Sequence, residues 1–515
     1  MHPVMREGEK RGEETVPCER NQYPLLELAK QGCHLHASEN MSSVLFVNPS
    51  FDLESHFGRL ARVGPSLLPV GATYLAAMLE AEGVPTAIWD GQVEPAGLAS
   101  LEAELRQRKP SVVGITVYSP MLAQTRAVAE MVRREVPGAR VVAGGIHPTV
   151  LPEEILDIPG IEVAVRGEAE PVIVQLCQAL MRGDSVEGIP GTTIRCDGAI
   201  HRASDIPLID SLDRIPPPAR HLLKNERYRP APEITMANPA KIQSLITSRG
   251  CPYQCIFCSA RLLSGRRYRF HSPERIIEEV EHLVGHYGAE EVVFLDDNFT
   301  VNRPRLVQTC ELLRESGLSR RIIWACNGRV DEVDPEVLQL MRASGCRLIS
   351  FGIETGVPRL LALIKKGITV DQSRNAVRWA KQAGIRVRTT LILGLPTETE
   401  EDTRATIDFA KDLGADFAKF SLATPYPGTE LCQLAEQMGL LTSHDWSRAS
   451  SMAGFSSYEP LFVPEGRTGD EMKRWQRRAM REFYLRPRQI WTILSQTKTM
   501  ADAQLLFQAA RAVVR

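Results

Sequence analysis

Short apolar runs alternate with amphipathic stretches over the first 185 residues of the chain. Runs of this kind suit strands that are buried on both faces of a sheet. They lie at 44–47, 86–89, 112–117, 140–143 and 163–165. The stretches between them carry apolar residues at helical spacing and predict helices. These lie at 70–83, 98–108, 121–136 and 171–181. The alternation predicts an α/β domain over residues 41–185, built on a doubly wound parallel sheet of the flavodoxin-like type.

A second alternating region follows a proline-rich stretch. Its six predicted strands are separated by helical segments, which indicates a partial (β/α)6 barrel over residues 241–435 rather than a closed eight-stranded one. The strands lie at 242–247, 291–296, 322–325, 348–353, 387–393 and 417–422.

The remaining segments lack this alternation. Residues 1–40 are polar and charged and are predicted to be a disordered tail. Residues 186–240 are predicted to be a linker that contains a short hairpin around Asp197. Residues 436–515 are predicted to form a helical C-terminal cap over the barrel mouth, where they would shape the substrate pocket.

The composition is that of an ordinary globular chain and argues against several classes of protein. Of the 515 residues, 43% are hydrophobic and 24% are charged, and the net charge of -2 argues against a general nucleic-acid-binding surface. No apolar run approaches the roughly 20 residues that span a bilayer, and the N-terminus lacks the apolar core of a signal peptide. The eleven cysteines are scattered, which fits a reducing compartment. We therefore expect a cytoplasmic protein with no membrane span and no nucleic-acid partner.

The candidate chemistry centres on three thiols in the loop after the first strand of the second region. Cys251, Cys255 and Cys258 have the spacing C-x3-C-x2-C. A four-iron, four-sulfur cluster normally takes four thiolates, so three would leave one iron open to a ligand that is not protein. The alternatives are three buried structural cysteines or a zinc site. Zinc would need a fourth ligand at short spacing, and the nearest histidine, His271, is too distant.

This spacing resembles the radical S-adenosylmethionine (SAM) superfamily. The resemblance implies that the open iron chelates SAM and that an electron from the cluster cleaves it to a 5'-deoxyadenosyl radical. It also implies that Cys251, Cys255 and Cys258 hold the cluster and act in catalysis. The implied SAM-binding residues are Phe257, Asp296, Asp297, Glu354, Arg388, Gly394 and Pro396, with Glu354 also implied in catalysis.

Ordinary roles remain open for several of these residues. Asp296 and Asp297 could cap a helix, Glu354 could form a local salt bridge, and Arg388 could lie on a solvated face. Only one of the two aspartates is expected to reach SAM, because successive strand residues point to opposite faces.

Small residues dominate the loops at the carboxyl ends of the first domain's strands, where ligands bind in doubly wound sheets. No G-x-G-x-x-G motif follows a strand, which argues against a dinucleotide-binding site. These loops and the phrase from Leu68 to Ala77 resemble the cobalamin-binding domain that precedes many radical SAM domains. The D-x-H-x-x-G motif of the best-known cobalamin domains is absent, so the cobalt is expected to lack a histidine on its lower face. The candidate cobalamin-binding residues are Asn48, Thr116, Tyr118, Gly144, Gly145 and His147, of which Tyr118 and His147 could instead be turn or packing residues.

Together the two resemblances imply a cobalamin-dependent radical SAM enzyme whose cofactors are a 4Fe-4S cluster, SAM and cobalamin. The expected reaction is methyl transfer to an unactivated carbon of a small-molecule, lipid or natural-product substrate. The electron would come from a donor such as flavodoxin or ferredoxin. One alternative is an oxidative cyclase or ring-rearranging enzyme of the tetrapyrrole cyclase type. A second is a noncatalytic cobalamin or iron-sulfur sensor.

Overall fold

The computed structural model of the chain describes residues 43–63, 66, 68–228 and 241–496. The predicted tail at 1–40 lies outside these ranges, as do the last part of the predicted linker and the end of the predicted cap. No helix within the described ranges offers the uninterrupted apolar length that a bilayer crossing requires.

The N-terminal sheet confirms the predicted doubly wound topology. Its parallel strands are β1 (Val44–Asn48), β2 (Thr86–Asp90), β3 (Val112–Thr116), β4 (Arg140–Gly144) and β5 (Val163–Val165). Their spatial order is β2-β1-β3-β4-β5. The order reverses between β1 and β3, so the crevice in which such sheets bind ligands opens at the carboxyl ends of these strands.

Helices cover both faces of this sheet. In β1, Leu45 and Val47 belong to one hydrophobic cluster, whereas Val44 and Phe46 belong to another on the opposite face. Because both faces are core, the strand sequences show continuous apolar runs rather than alternation. The helices are α1 (Leu53–Phe57), α2 (Val70–Ala81), α3 (Leu98–Arg108), α4 (Leu122–Glu135), α5 (Ile146–Val150), α6 (Pro152–Leu156) and α7 (Ile173–Arg182).

The hairpin expected in the linker is present and extends the sheet. Strands β6 (Thr192–Cys196) and β7 (Ala199–Arg202) are antiparallel, and β6 pairs with β5. The turn residues Asp197 and Gly198 have φ of 50° and 81°, as the two-residue turns that suit hairpins require. The sheet therefore continues past residue 185, and the domain boundaries remain predictions.

The second region confirms the predicted partial barrel. In chain order its strands are β8 (Ile242–Leu245), β9 (Ser248–Arg249), β10 (Arg269–Phe270), β11 (Glu291–Phe294), β12 (Ile323–Gly328), β13 (Cys346–Glu354), β14 (Arg386–Leu393) and β15 (Phe417–Leu422). Strands β9 and β10 form a separate antiparallel ribbon. The other six are parallel and lie side by side in chain order.

Most helices of this region begin at a capping side chain. The helices are α8 (Ala260–Ser264), α9 (Pro273–Tyr287), α10 (Arg303–Glu315), α11 (Pro335–Ala343), α12 (Pro358–Leu363), α13 (Val370–Gln382), α14 (Glu400–Asp412), α15 (Glu430–Gln437), α16 (Gly469–Tyr484) and α17 (Pro487–Gln496). A Ser, Thr, Asn or Asp accepts a hydrogen bond from the first turn of α9, α10, α11, α13, α14, α15 and α16, which satisfies an amide that the helix leaves unpaired.

The inner face of the barrel borders open space. Strand residues that point outward, such as Ile349 and Val387, are fully buried under the helices. Inward-pointing polar residues on neighbouring strands, including Ser350, Arg388 and Lys419, are only partly buried. Because successive residues alternate between faces, the exposure of the inner set indicates a polar cavity inside the barrel.

The longest C-terminal helix packs on the side of the barrel, and the cap at 436–515 stays a prediction. Helix α16 buries Met472, Trp475 and Phe483 against the outer face of β14 and β15 and does not lie over the barrel mouth. The segment before it reaches the first region, where Trp446 and Leu461 join the hydrophobic cluster of β1 and β3.

Candidate active site

The three cysteines lie in a loop whose two ends are fastened together. Strand β9 ends at Arg249 and β10 begins at Arg269, and the antiparallel pairing makes these residues partners. Gly250 leaves the ribbon with φ of +83°, and a Cβ there would collide with the carbonyl oxygen of Arg267. Only glycine fits this position. The ribbon therefore closes the cysteine loop independently of any metal.

The cysteine side chains are free thiols. Cys255 is buried and the other two are partly buried. Burial raises the pKa of Cys251 and raises that of Cys258 to about 11, whereas a coordinating metal would favour the thiolates. Within the described ranges, no three His, Cys, Asp or Glu side chains converge on one point that could hold a single ion. Cluster thiolates bind separate irons and need not converge in this way.

Tyr253, between the first two cysteines, anchors the loop to the barrel. The Arg329 guanidinium lies over its ring, 3.4 Å from the centroid, and its hydroxyl donates to Glu332 at 2.5 Å. Arg329 also pairs with Asp331, and Glu332 accepts from the Asn298 amide at 2.8 Å. These partners were not predicted, because only the fold brings residues 329–332 beside the cysteine loop.

The two aspartates after β11 have opposite surroundings. Asp296 is fully buried, and its carboxylate accepts hydrogen bonds from the amide and hydroxyl of Thr247 and from the hydroxyl of Ser248, each at 2.6 Å. The carboxylate thus ties β11 to the chain just before the cysteine loop, and its contact with SAM stays a prediction.

Asp297 is exposed, yet burial, assisted by the charge of Asp296, raises its pKa. A side chain that is accessible but closely surrounded lines a concave surface. Its charge also raises the pKa values of Cys251 and Cys258. Asp297 is therefore the aspartate that faces the cysteine loop.

Glu354 ends β13 and forms a salt bridge. Its Oε1 lies 2.6 Å from Lys366 Nζ, and the two side chains are only 6% and 9% exposed. The local salt bridge that the sequence left open as an alternative is therefore present. Glu354 also has φ of +69°, a conformation that costs a residue other than glycine about 1–3 kcal/mol. Lys366 Nζ lies 5.9 Å from the ring centroid of Phe257, which shares this corner of the barrel. Contact of Glu354 or Phe257 with SAM stays a prediction.

The turn after β14 is buried. Gly394 has φ of +78°, and a Cβ there would lie 2.8 Å from Met472 Cε in α16. The positive φ favours glycine at this position, and the approach of adenine to Gly394 stays a prediction. Pro396 is buried, and Glu398 closes the turn by accepting from the Leu395 amide at 2.9 Å. Burial raises the pKa of Glu398.

Arg388 differs from these residues because it has no polar partner among the residues that the structure describes. It lies partly exposed on the inner face of β14 and forms no hydrogen bond or ion pair with any described residue. A guanidinium in such a setting favours a carboxylate or another anion.

The carboxyl ends of β3 and β4 form an open surface. Tyr118 is 51% exposed although burial raises its pKa, so its ring lines a concavity. Thr116, partly buried at the end of β3, pairs with Gly144, whose Cβ position has no atom within 4 Å. Gly145 has φ of +113°, and a Cβ there would lie 2.9 Å from the carbonyl oxygen of Val117. The edge can thus admit a flat ligand close to the backbone.

Asn48 and His147 are used by the protein itself. The buried Asn48 amide donates to Asp90 at 2.9 Å. His147 has no exposed surface, and its Nδ1 and Nε2 lie 3.0 Å from Ser119 Oγ and 3.4 Å from the Glu154 carboxylate. Both side chains thus shape the loops from within, and their contacts with cobalamin stay predictions.

The first region meets the barrel at the cysteine loop. Helix α5 packs against α8, which begins two residues after Cys258. The loop after β15 joins them: a Cβ at Gly428 would lie 2.5 Å from Val150 Cγ1 and 3.1 Å from Leu262 Cδ1. The open edge at Gly144 and the cysteine loop therefore lie on neighbouring elements.

Two family models match the chain. The model described as the Radical SAM superfamily matches residues 245–410, and that described as the B12 binding domain matches residues 58–176. The uncharacterized methyltransferase PH0819 of Pyrococcus horikoshii is 36% identical over 427 residues, which cover 83% of this chain and 90% of that protein. The chain belongs to the cobalamin-dependent radical SAM enzymes.

Two further relatives place this radical SAM enzyme among known proteins. The anaerobic magnesium-protoporphyrin IX monomethyl ester cyclase of Cereibacter sphaeroides is 29% identical over 453 residues, which cover 86% of this chain and 70% of the cyclase. The solved structure of the radical SAM methyltransferase TsrM from Kitasatospora setae, with cobalamin and a 4Fe-4S cluster bound, has a TM-score of 0.67 at 19% identity. That match covers 92% of this chain and 100% of TsrM, and it shows a shared fold.

As a cobalamin-dependent radical SAM enzyme, the protein uses a 4Fe-4S cluster, SAM and cobalamin, acts on a substrate and needs a reductant. The residues present fit these groups. Three free thiols on a closed loop suit the cluster. An unpaired arginine and an accessible aspartate, Arg388 and Asp297, suit the carboxylate and the ammonium of SAM, and the open backbone at Gly144 suits a corrin.

Proposed function

We propose that the protein transfers a methyl group from SAM, by way of cobalamin, to an unactivated carbon of a small-molecule, lipid or natural-product substrate. The observation that carries this proposal is the contact between the cysteine loop and the element next to Gly144, because the reaction needs both cofactors close to one substrate. The identity to the Pyrococcus methyltransferase supports methyl transfer over cyclisation, since the cyclase is less similar.

In this proposal the chain holds and orients groups that supply the difficult chemistry when bound: an electron from the cluster to cleave SAM, and a transferable methyl group on cobalamin. The three cysteines hold the cluster. Asp297 accepts from the SAM ammonium, and Arg388 donates to the SAM carboxylate. Glu354, fixed by Lys366 through one carboxylate oxygen, accepts from a SAM hydroxyl through the other.

At the first sheet, Gly144 and Gly145 let the corrin approach the backbone, and Tyr118 and Thr116 border its site. A flavodoxin or a ferredoxin supplies the electron. A ligand bound against these residues would keep water from the cleft between the two regions, as a closed active site does.

Turnover with a deuterated methyl group on SAM tests the proposal. Anaerobically reconstituted protein receives cobalamin, labelled SAM, a chemical reductant, and polar or lipid extracts as substrate pools. Methyl transfer should give S-adenosylhomocysteine, 5'-deoxyadenosine and a product that carries the label. 5'-Deoxyadenosine alone would indicate a cyclase-type reaction. If protein that holds both cofactors gives none of these three products, the result would indicate a sensor.

Cys255→Ala provides the negative control for this turnover, because it removes a proposed cluster ligand. Cys196→Ala is the matched control, since it removes an exposed free cysteine of the hairpin. We expect the first variant to give none of the three products and the second to behave as wild type.

A further inference from the structure

A buried ion-pair cluster joins the first region to the β9–β10 ribbon that closes the cysteine loop. It consists of two glutamates of the first region and two arginines of the ribbon. Arg269 donates two hydrogen bonds to the Glu168 carboxylate, at 2.7 and 2.8 Å. Arg249 binds Glu170 at 2.6 Å and approaches Glu168 at 3.3 Å. Both glutamates lie in the loop that follows β5. The cluster thus joins the carboxyl edge of the first sheet to both strands of the ribbon.

The four side chains are at most 12% exposed, so salt and water screen their charges little. Arg249 and Arg269 are register partners, and like charges placed directly opposite each other are destabilising. Glu168 and Glu170 offset this repulsion and balance the charge. Loss of one member would leave a buried charge without its partner, which is costly. The positive charges of the two arginines are therefore neutralised only when the ribbon packs against the first region.

The loop that carries Glu168 and Glu170, here called the acidic loop, also contacts the helix that follows Gly144 at the proposed cobalamin site. The Gly167 amide donates to Thr149 Oγ1 at 3.0 Å. Thr149 belongs to α5, which begins two residues after Gly144. A continuous set of contacts thus runs from Gly144 through α5 and the acidic loop to the ribbon that closes the cysteine loop.

We propose that Glu168 and Glu170 are positioning residues that fix the separation between cobalamin and the iron-sulfur cluster. They do so by holding Arg249 and Arg269, the two residues that flank the cysteine loop, against the first sheet. The inference rests on the proposed function, because it requires both cofactors in the sites described. It assigns a role to the sequence Arg-Gly-Glu-Ala-Glu at 166–170, which the cofactor sites leave unexplained.

Electron-spin relaxation provides a test that needs no substrate. The reduced cluster accelerates the relaxation of cob(II)alamin, and the enhancement weakens steeply as the two centres separate. Glu170→Gln preserves the shape of the side chain but removes the charge that faces Arg249. The double variant Glu168→Gln/Glu170→Gln removes both charges. Glu162→Gln is the matched control, since its 2.6 Å ion pair with Arg140 lies within the first region and its side chains are 37% and 39% exposed.

We expect all variants to bind iron and cobalt as wild type does. The ratio of docked to undocked molecules should fall roughly tenfold in Glu170→Gln, which corresponds to about 1.4 kcal/mol, and further in the double variant. A population with weaker relaxation enhancement should appear in Glu170→Gln and in the double variant, whereas Glu162→Gln should match wild type. A merely stabilising cluster would lower resistance to unfolding without creating this population.

Wild-type enhancement in the double variant, with both cofactors present, overturns the inference. If the double variant does not fold, the same result in Glu170→Gln overturns it. Wild-type protein that takes up no iron or no cobalt contradicts the proposed function, and this inference with it.

Discussion

Replacing Gly144 by valine probes the proposed corrin site without disturbing the protein around it. The Cβ position at Gly144 has no atom within 4 Å, and its φ is not positive. Valine is also well suited to a strand. We therefore expect the free energy of unfolding of the cobalamin-free protein to change by about 0.5 kcal/mol or less.

The same side chain would fill the space that a flat ligand needs against the end of β4. Overpacking a close contact costs about 1–3 kcal/mol, which corresponds to roughly 5- to 150-fold weaker binding. Titration of cobalamin into the anaerobic protein, followed by its visible spectrum, measures the dissociation constant. Urea denaturation of the cobalamin-free protein measures the stability.

Gly138→Val is the matched control. Its Cβ position also has no atom within 4 Å, but it lies in the turn before β4, at the opposite end of the strand. We expect this variant to bind cobalamin as wild type does. Unchanged affinity in Gly144→Val would refute the reasoning, because cobalamin would then not approach the end of β4.

Three further predictions concern the barrel. Neutralising Glu354 or Lys366 alone should cost about 3–5 kcal/mol of stability, because the partner is left buried and unpaired. The double variant Glu354→Gln/Lys366→Met should recover part of this loss, and strict additivity in denaturation experiments would show that the pair is not coupled. Cys255→Ala should lose iron but keep cobalamin, and elemental analysis that finds neither would contradict separate sites. Burial alone would raise the pKa of Glu482, but hydrogen bonds from three basic side chains lower it from 4.5 to about 2. Its stabilisation is therefore present above pH 4.5 and lost as the pH falls towards 2. After allowance for solvent screening, Glu482→Gln should cost about 1 kcal/mol at pH 7 and progressively less in acid, and denaturation at several pH values measures the difference.

The parallel strands of the first sheet could be predicted because burial on both faces leaves an unbroken apolar run, as at 44–47. At 417–422 apolar residues are interrupted by Lys419 and Ser421, the pattern of a strand with one polar face. The ribbon of β9 and β10 could not, because strands of two residues leave no periodic pattern. The apolar face of α16 indicates that one side is buried, but not that it packs beside β15 rather than over the barrel mouth.

Within the site, the cysteine spacing was informative because all three ligands lie in one short loop. The roles of isolated polar residues were less predictable. The Asp296 carboxylate accepts a hydrogen bond from Thr247, 49 residues away in the chain. The Asn48 amide donates one to Asp90, 42 residues away. Whether a side chain is free for a ligand depends on such distant partners, which no local pattern reveals.

The β9–β10 ribbon closes the cysteine loop through protein contacts alone. Because closing a loop costs conformational entropy, part of the cost of ordering the cysteines falls on the folding of the chain and not on the binding of the cluster. The ribbon is held in turn by the ion pairs of Arg249 and Arg269 with the first region, so we expect a truncation that removes the first sheet to weaken iron retention as well as cobalamin binding.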